Sequence, residues 1–259
     1  MPVDRPLLPT NGLLLNLNTF IDQLRDFDSA LLANTLGYID PTPPEEVYMG
    51  GAIGSLTPTL GPTVGLAVTA RIDTSTPGNA ASMDLFWRQV ERIEAMRQPV
   101  IWVVQTVGSR PDHECVLGDG MAKLLHAAGC IGAVSNGRAR DIAGLHTTPF
   151  AFYGRGLVIH HCHMVIREID IPVEVGGLTI QPDDLIHASS EGVIRIPRRS
   201  LERLVQMAPA MRAFEHEAHM VFRRTDLPVA EKRGLVNDCL QKHGFGGGPS
   251  TPARFSDRV

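Results

Sequence analysis

At 259 residues with 43% apolar side chains, the chain is long enough for one or two domains around a sizeable core. A formal net charge of -4 and the lack of a dense basic stripe argue against nucleic acid as a partner. The four cysteines, Cys115, Cys130, Cys162 and Cys239, form no CxxC pair, which points to reduced thiols in a cytoplasm rather than a disulfide framework.

Residues 1–16 read as a loose arm with prolines, lacking the basic segment and apolar core of a signal peptide. No run is apolar enough to span a membrane. Apolar spacing over residues 19–36 predicts one or two helices ended by Gly37, and 40–51 is a proline-rich linker. Residues 64–72 (VGLAVTARI) and 99–106 (PVIWVVQT) are strong buried strands, with a helix over 82–96 between them. Gly118, Asp119 and Gly120 form a turn that can free backbone N–H groups at a helix start. The helix covers 121–128, Gly129 ends it, 131–135 is a strand, and Asn136-Gly137 is a turn. This alternation predicts a parallel α/β core.

Further on, 142–145 reads as a short helix or turn, and 150–153 and 157–165 as strand-like. The Gly-Gly step in 172–180 predicts a hairpin, and 185–196 holds two strands broken at 189–192. Pro197 leads into a long helix over 200–223, and the arginines around its start, Arg198, Arg199 and Arg203, read as a solvated face. The expected organisation is an N-terminal arm with helices (1–50), an α/β domain (51–225) and a C-terminal extension (226–259). That extension is expected to be mobile or packed on a neighbouring subunit.

Asp119, Arg140 and Asp141 are the first candidates for chemistry. A guanidinium can hold a carboxylate and neutralise an oxyanion. One carboxylate can hold a hard divalent metal, and another can steer a proton-carrying water. On spacing alone, a capping Asp119 and a surface Arg-Asp pair weigh more. In IHHCHM, strand alternation puts His161 and His163 on one face, with Cys162 on the other beside His160. Such a set suits zinc, although a hydrogen-bonded strand near a subunit contact explains it as well. Glu215, His216, Glu217 and His219 do not make HExxH, and Ser189, Ser190 and Glu191 lack a GxSxG elbow.

The stretch G-D-G-M-A…A-G…G-A-V-x-N-G-x-x-R-D resembles the RraA-like family, which includes regulators of ribonuclease E activity and class II 4-hydroxy-4-methyl-2-oxoglutarate aldolases. GLAVTARI, PVEVGGLTIQPDDLI and EGVIRIP agree in order, so the resemblance spans roughly residues 27–217. It implies an α/β fold with a layered β/β/α core, N-terminal helices and a long C-terminal helix. It also implies a trimer or dimer of trimers with sites between subunits. In the aldolases, the position matching Arg140 binds the pyruvyl group, and that matching Asp141 holds Mg²⁺ or Mn²⁺. The position matching Asp119 orients a metal-bound water. Gly118 lies at the substrate-binding turn, and the amides matching Gly120 and Met121 receive the substrate carboxylate. A neighbour's late-helix glutamate completes the network, a role for which Glu215 and Glu217 are the candidates.

The activity implied is cleavage or decarboxylation of a 2-oxo acid, such as 4-hydroxy-4-methyl-2-oxoglutarate or oxaloacetate, through a pyruvate enolate. The chain departs from the active aldolases at Gly144, where they usually carry an acid; the non-catalytic regulators also lack one. The alternatives are a regulatory protein on the same scaffold, or a lyase or hydrolase with an unrelated substrate that uses the histidine stretch.

Overall fold

A computed structural model describes residues 11–161 and 163–246. The outer part of the expected arm, Cys162 and the tail beyond residue 246 lie outside the described residues. Helices α1 (Asn11–Leu24) and α2 (Ser29–Ile39) open the fold, followed by β1 (Gly54–Ser55) and β2 (Thr63–Asp73). Helix α3 (Asp84–Met96), β3 (Val100–Thr106), β4 (Cys115–Leu117), α4 (Asp119–Ala127), β5 (Cys130–Ser135) and β6 (Arg138–Ala139) come next. Then follow α5 (Ile142–Leu145), β7 (Ala151–Gly154), β8 (Val165–Ile169), β9 (Val173–Val175) and β10 (Leu178–Ile180). Strands β11 (Leu185–Ser189) and β12 (Gly192–Ile196) lead to the long helix α6 (Leu201–Phe222) and to α7 (Val229–Lys242).

The main sheet runs β1-β7-β5-β3-β2-β11-β12, with β8 also on β2. Its centre is parallel: β2 pairs β3, β3 pairs β5, and β5 pairs β7. Strand β2 is buried over almost its whole length, which explains its continuous apolar run instead of an alternating one. One sheet face carries Val68, Ala70, Val100, Trp102 and Val104 against α3 and α4. The other carries Ala67, Ile101, Val103 and Val134 against the β9–β10 hairpin. The layers are therefore β/β/α. Under α3, Trp102 Nε1 donates to Gln89 Oε1 at 2.8 Å, and Gln89 Nε2 donates to the Thr69 carbonyl at 2.7 Å. Trp102 and Gln89 thus partner each other under the helix.

Helices α1, α2, α6 and α7 build a second core with the outer ends of β2, β11 and β12. His187 on β11 fastens this layer. Its Nε2 faces the Leu24 and Phe27 carbonyls at 3.2 and 3.1 Å, and its Nδ1 faces Ser29 Oγ at 2.9 Å. Asp40, at the end of α2, accepts from Arg199, Ser200 and Thr42. Burial alone raises its carboxyl, but these donors outweigh that and hold it well below the usual carboxylate range. Among the described residues no helix is long and apolar enough to cross a membrane.

Four local expectations need correction. Helix α1 starts at Asn11, inside the expected arm, because no proline follows Pro9 until Pro41. Gly37 lies within α2, which runs on to Ile39, since packing on α6 outweighs the cost of one glycine. Among the described residues, 157–161, 163 and 164 form no strand beyond a single bridge from Leu157 to Ala139 of β6, and pairing with β2 begins only at Val165. Ile159 is 97% exposed, so the apolar residues there have no sheet to pack on and the alternation argument for His160, His161 and His163 fails. Finally, 229–242 forms α7, capped by Pro228 and buried on α6 through Val236, Cys239 and Leu240. That narrow stripe is too short to announce a helix by periodicity.

Candidate active site

The candidate site is a corner built from backbone. Strand β4 pairs in parallel with β6, placing Cys115 beside Arg138 and Leu117 beside Ala139. The next residue continues the pairing: Arg140 N–H donates to the Leu117 carbonyl at 2.9 Å. Arg140 and Asp141 are thereby set against Gly118, the extended residue from which α4 departs. Asp141 takes a left-handed conformation (φ 56°, ψ 42°), tolerated by Asp better than by most residues. Its carbonyl accepts from the Gly144 and Leu145 amides and so starts α5.

Gly118 sits at a close approach. A Cβ there would lie 2.9 Å from Asp141 Oδ2 and 3.1 Å from Arg140 Nε. Gly144 is similarly constrained. A Cβ on it would fall 2.5 Å from Asp119 Cβ and 2.6 Å from Asp119 Oδ2. The absence of an acid at 144 thus makes room for Asp119.

A cavity of ≈ 470 Å³ opens here, lined by Gly118, Asp119, Gly120, Met121, Arg140, His161, His163, Met83 and Met164. Asp141 adjoins it, with Oδ2 3.4 Å from Arg140 Nε in a loose, part-exposed pair. Asp119 Oδ2 is 2.6 Å from Lys123 Nζ, one turn along α4. The Lys123 hydrogen bond and charge, the Gly120 amide and the Arg140 charge together hold the Asp119 carboxyl below its usual range. It is therefore an acceptor at neutral pH. Asp141 offers a half-exposed hard oxygen beside a space that only glycine leaves clear. One carboxylate with open surroundings suits Mg²⁺ or Mn²⁺, which keep several waters.

Glu215 and Glu217 do not join this corner within the chain. Glu215 accepts from Asn34 Nδ2 at 3.0 Å and lines a separate cavity between α2 and α6. Glu217 is held by Lys242, Cys239 and His243. Sequence reading missed Glu114, a fully buried carboxylate that accepts from Thr74 N–H, Thr74 Oγ1 and Ser75 Oγ. Its carbonyl accepts from Arg138 N–H, so it anchors β4 and β6 together. Its hydroxyl partners lie about forty residues away, and no motif announces them. Lys123, four residues from Asp119 on one helix, was recoverable from spacing.

A family model described as Aldolase/RraA matches residues 45–195, more than half of the chain. The chain belongs to the RraA-like family. A relative from Halalkalibacterium halodurans, provisionally named 4-hydroxy-4-methyl-2-oxoglutarate aldolase, is 36% identical over 95 residues. That match covers 36% of this chain and 44% of the relative, less than half its length. A protein of the same provisional name from Alkalilimnicola ehrlichii is 31% identical over 128 residues, covering 48% of this chain and 78% of the relative. In structure, Streptomyces coelicolor RraAS2, described as an unusual member of the RNase ES inhibitor RraA family, superposes with a TM-score of 0.62 at 21% identity. It covers 78% of this RraA-like chain and 97% of its own. An uncharacterized Pseudomonas syringae protein gives 0.61 at 21% identity, covering 83% and 96%. Both share the fold.

Proposed function

We propose that this RraA-like chain is a divalent-metal-dependent carbon–carbon lyase acting on a 2-oxo acid through a pyruvate enolate. The substrates proposed are 4-hydroxy-4-methyl-2-oxoglutarate and oxaloacetate. The observation that carries this reading is the convergence of Arg140, Asp119 and the start of α4 on one cavity, with Asp141 alongside.

A 2-oxo acid presents a carboxylate next to a ketone. The first-turn amides of α4, at Gly120 and Met121, suit the carboxylate at the positive end of the helix dipole, with the Gly120 N–H shared between it and Asp119. Arg140 donates to the ketone oxygen and holds it as it becomes an oxyanion, a contribution that grows towards the transition state. Asp141 would hold the Mg²⁺ or Mn²⁺ ion, which when bound would supply Lewis-acid polarisation of the ketone. Asp119 orients a water that takes the proton from the C4 hydroxyl as the C3–C4 bond breaks. The electron pair of that bond enters the enolate, and the proton is then returned to C3, giving pyruvate. With oxaloacetate the same bond breaks with loss of carbon dioxide, and only the protonation remains.

A homo-oligomer, a trimer or dimer of trimers, brings a late-helix acid to this corner. Glu215 is the better of the two candidates, because both oxygens of Glu217 are already engaged. A second reading, a regulator without turnover, draws on Gly144: Asp119 fills the space where an extra acid would stand. The two readings separate on pyruvate release from both acids, with Mg²⁺, with Mn²⁺ and with chelator. The lyase reading expects release that chelator abolishes; no release from either acid under any condition favours the regulator.

A further inference from the structure

Where α7 ends against α6, three donors of mixed softness meet. Cys239 Sγ donates to Glu217 Oε2 at 3.2 Å, and His243 Nε2 lies 3.0 Å from Glu217 Oε1. All three donor atoms fall within 4.8 Å of one another. Cys239 lies in the last turn of α7, His243 is the residue that caps the helix end with its N–H on the Cys239 carbonyl, and Glu217 faces both from α6. Cys239 is buried, and the side chain of His243 is 15% exposed. Lys242 Nζ also sits 2.9 Å from both Glu217 oxygens, with its side chain 65% exposed.

We propose that Glu217, Cys239 and His243 form a Zn²⁺ site that clamps α7 onto α6. Thiolate and imidazole favour a borderline-soft ion over Mg²⁺ or Ca²⁺. Tetrahedral zinc at ordinary bond lengths separates its donors by roughly 3.5 Å, which side-chain adjustment of a few tenths of an ångström to about 1 Å reaches from donors already within 4.8 Å of one another. Three protein donors leave a fourth position for water or a ligand. Binding releases the thiol proton to solvent, and the ion takes the lone pair of His243 Nε2 in place of that nitrogen's contact with Glu217. The ion then balances the thiolate and the carboxylate, so Lys242 is freed as their counter-charge. Its exposed ammonium swings into water, and the exchange requires no backbone movement.

The site lies beyond the family-matched segment and does not depend on the lyase reading. The full chain, stripped with chelator, is titrated with Zn²⁺ against a chromophoric chelator and separately with Co²⁺. One equivalent is expected to bind, with a thiolate-to-cobalt absorption band and a rise in Tm. Cys239→Ser and His243→Ala should each weaken zinc about tenfold or more and lose the Tm rise, and Cys239→Ser should lose the band. Asp141→Ala should keep all three signals, which separates this site from the one around Arg140. Lys242→Ala, an exposed change that leaves the donors intact, should bind zinc at least as tightly as the wild type. Far-UV circular dichroism establishes that the variants fold. No zinc binding by the wild type, unchanged binding in Cys239→Ser and His243→Ala, or weaker binding in Lys242→Ala would overturn the proposal.

Discussion

The corner around Arg140 and the helical layer around α6 are held together in opposite ways. In the corner, backbone does the positioning: β4 pairs β6, the Arg140 amide reaches Leu117, and glycine clears the space between Arg140 and Asp141. In the helical layer, side chains fasten the contacts: His187 to α1 and α2, Asp40 to Arg199, and Glu217 to α7. A backbone-built site keeps its geometry through many side-chain changes but is sensitive to an added atom at a close approach. A side-chain-built contact tolerates added atoms and answers instead to protonation.

The largest effect expected is on turnover in the corner. Arg140→Ala and Asp141→Ala should each lower pyruvate release by about 100-fold or more at unchanged Tm, as loss of an oxyanion-stabilising group typically does. Steady-state assays with a parallel thermal melt read both quantities. A loss of Tm comparable to the loss of rate would mean that these side chains also build the corner, which breaks the contrast.

The next effect is on the helical layer and follows pH. Burial pushes the His187 imidazole down to about 4, from an ordinary value near 6.5. Below that ordinary value the unfolded chain binds a proton that the folded chain refuses, so stability falls as pH drops from about 6.5 towards 4 and is flat above. The shift corresponds to roughly 3 kcal/mol across that window. Urea melts at several pH values measure it, and His187→Gln should flatten the slope. An equal slope in His187→Gln would place the titration elsewhere.

Gly118→Ala tests the sensitivity of the corner directly. Its methyl group meets Asp141 Oδ2 and Arg140 Nε, so we expect roughly tenfold slower turnover, about 1.4 kcal/mol in the barrier. Wild-type rates in this variant would mean that the two side chains move aside freely. The smallest effect expected is that of Lys123→Ala. The pair with Asp119 is part-exposed, and such pairs contribute little, so turnover at neutral pH should stay within about twofold.

Legibility divided along the same line. The corner was readable because Gly118, Asp119, Arg140 and Asp141 lie in one motif around a strand, where local turn signals and backbone pairing set the geometry. The parallel strands and the Gly-Gly hairpin were readable from apolar runs and punctuation. Helix α7 was not, because only Val236, Cys239 and Leu240 mark its buried face. Nor was the position of His161 and His163: a strand was expected, whereas these two residues line the cavity without pairing. Period-2 alternation describes a strand only when a partner strand runs alongside, and β6 ends at Ala139, so its pairing with this segment stops at Leu157 and Val158.

The central claim is that this corner stabilises a pyruvate enolate, and it can be tested without knowing the distal group of the substrate. Exchange of the pyruvate methyl protons for deuterium, followed by proton NMR in D₂O with Mg²⁺ or Mn²⁺, reports enolate formation alone. The account predicts metal-dependent exchange well above the rate with metal ion alone, lost in Arg140→Ala and in Asp141→Ala. Exchange no faster than with the ion alone, or undiminished in Arg140→Ala, would contradict it.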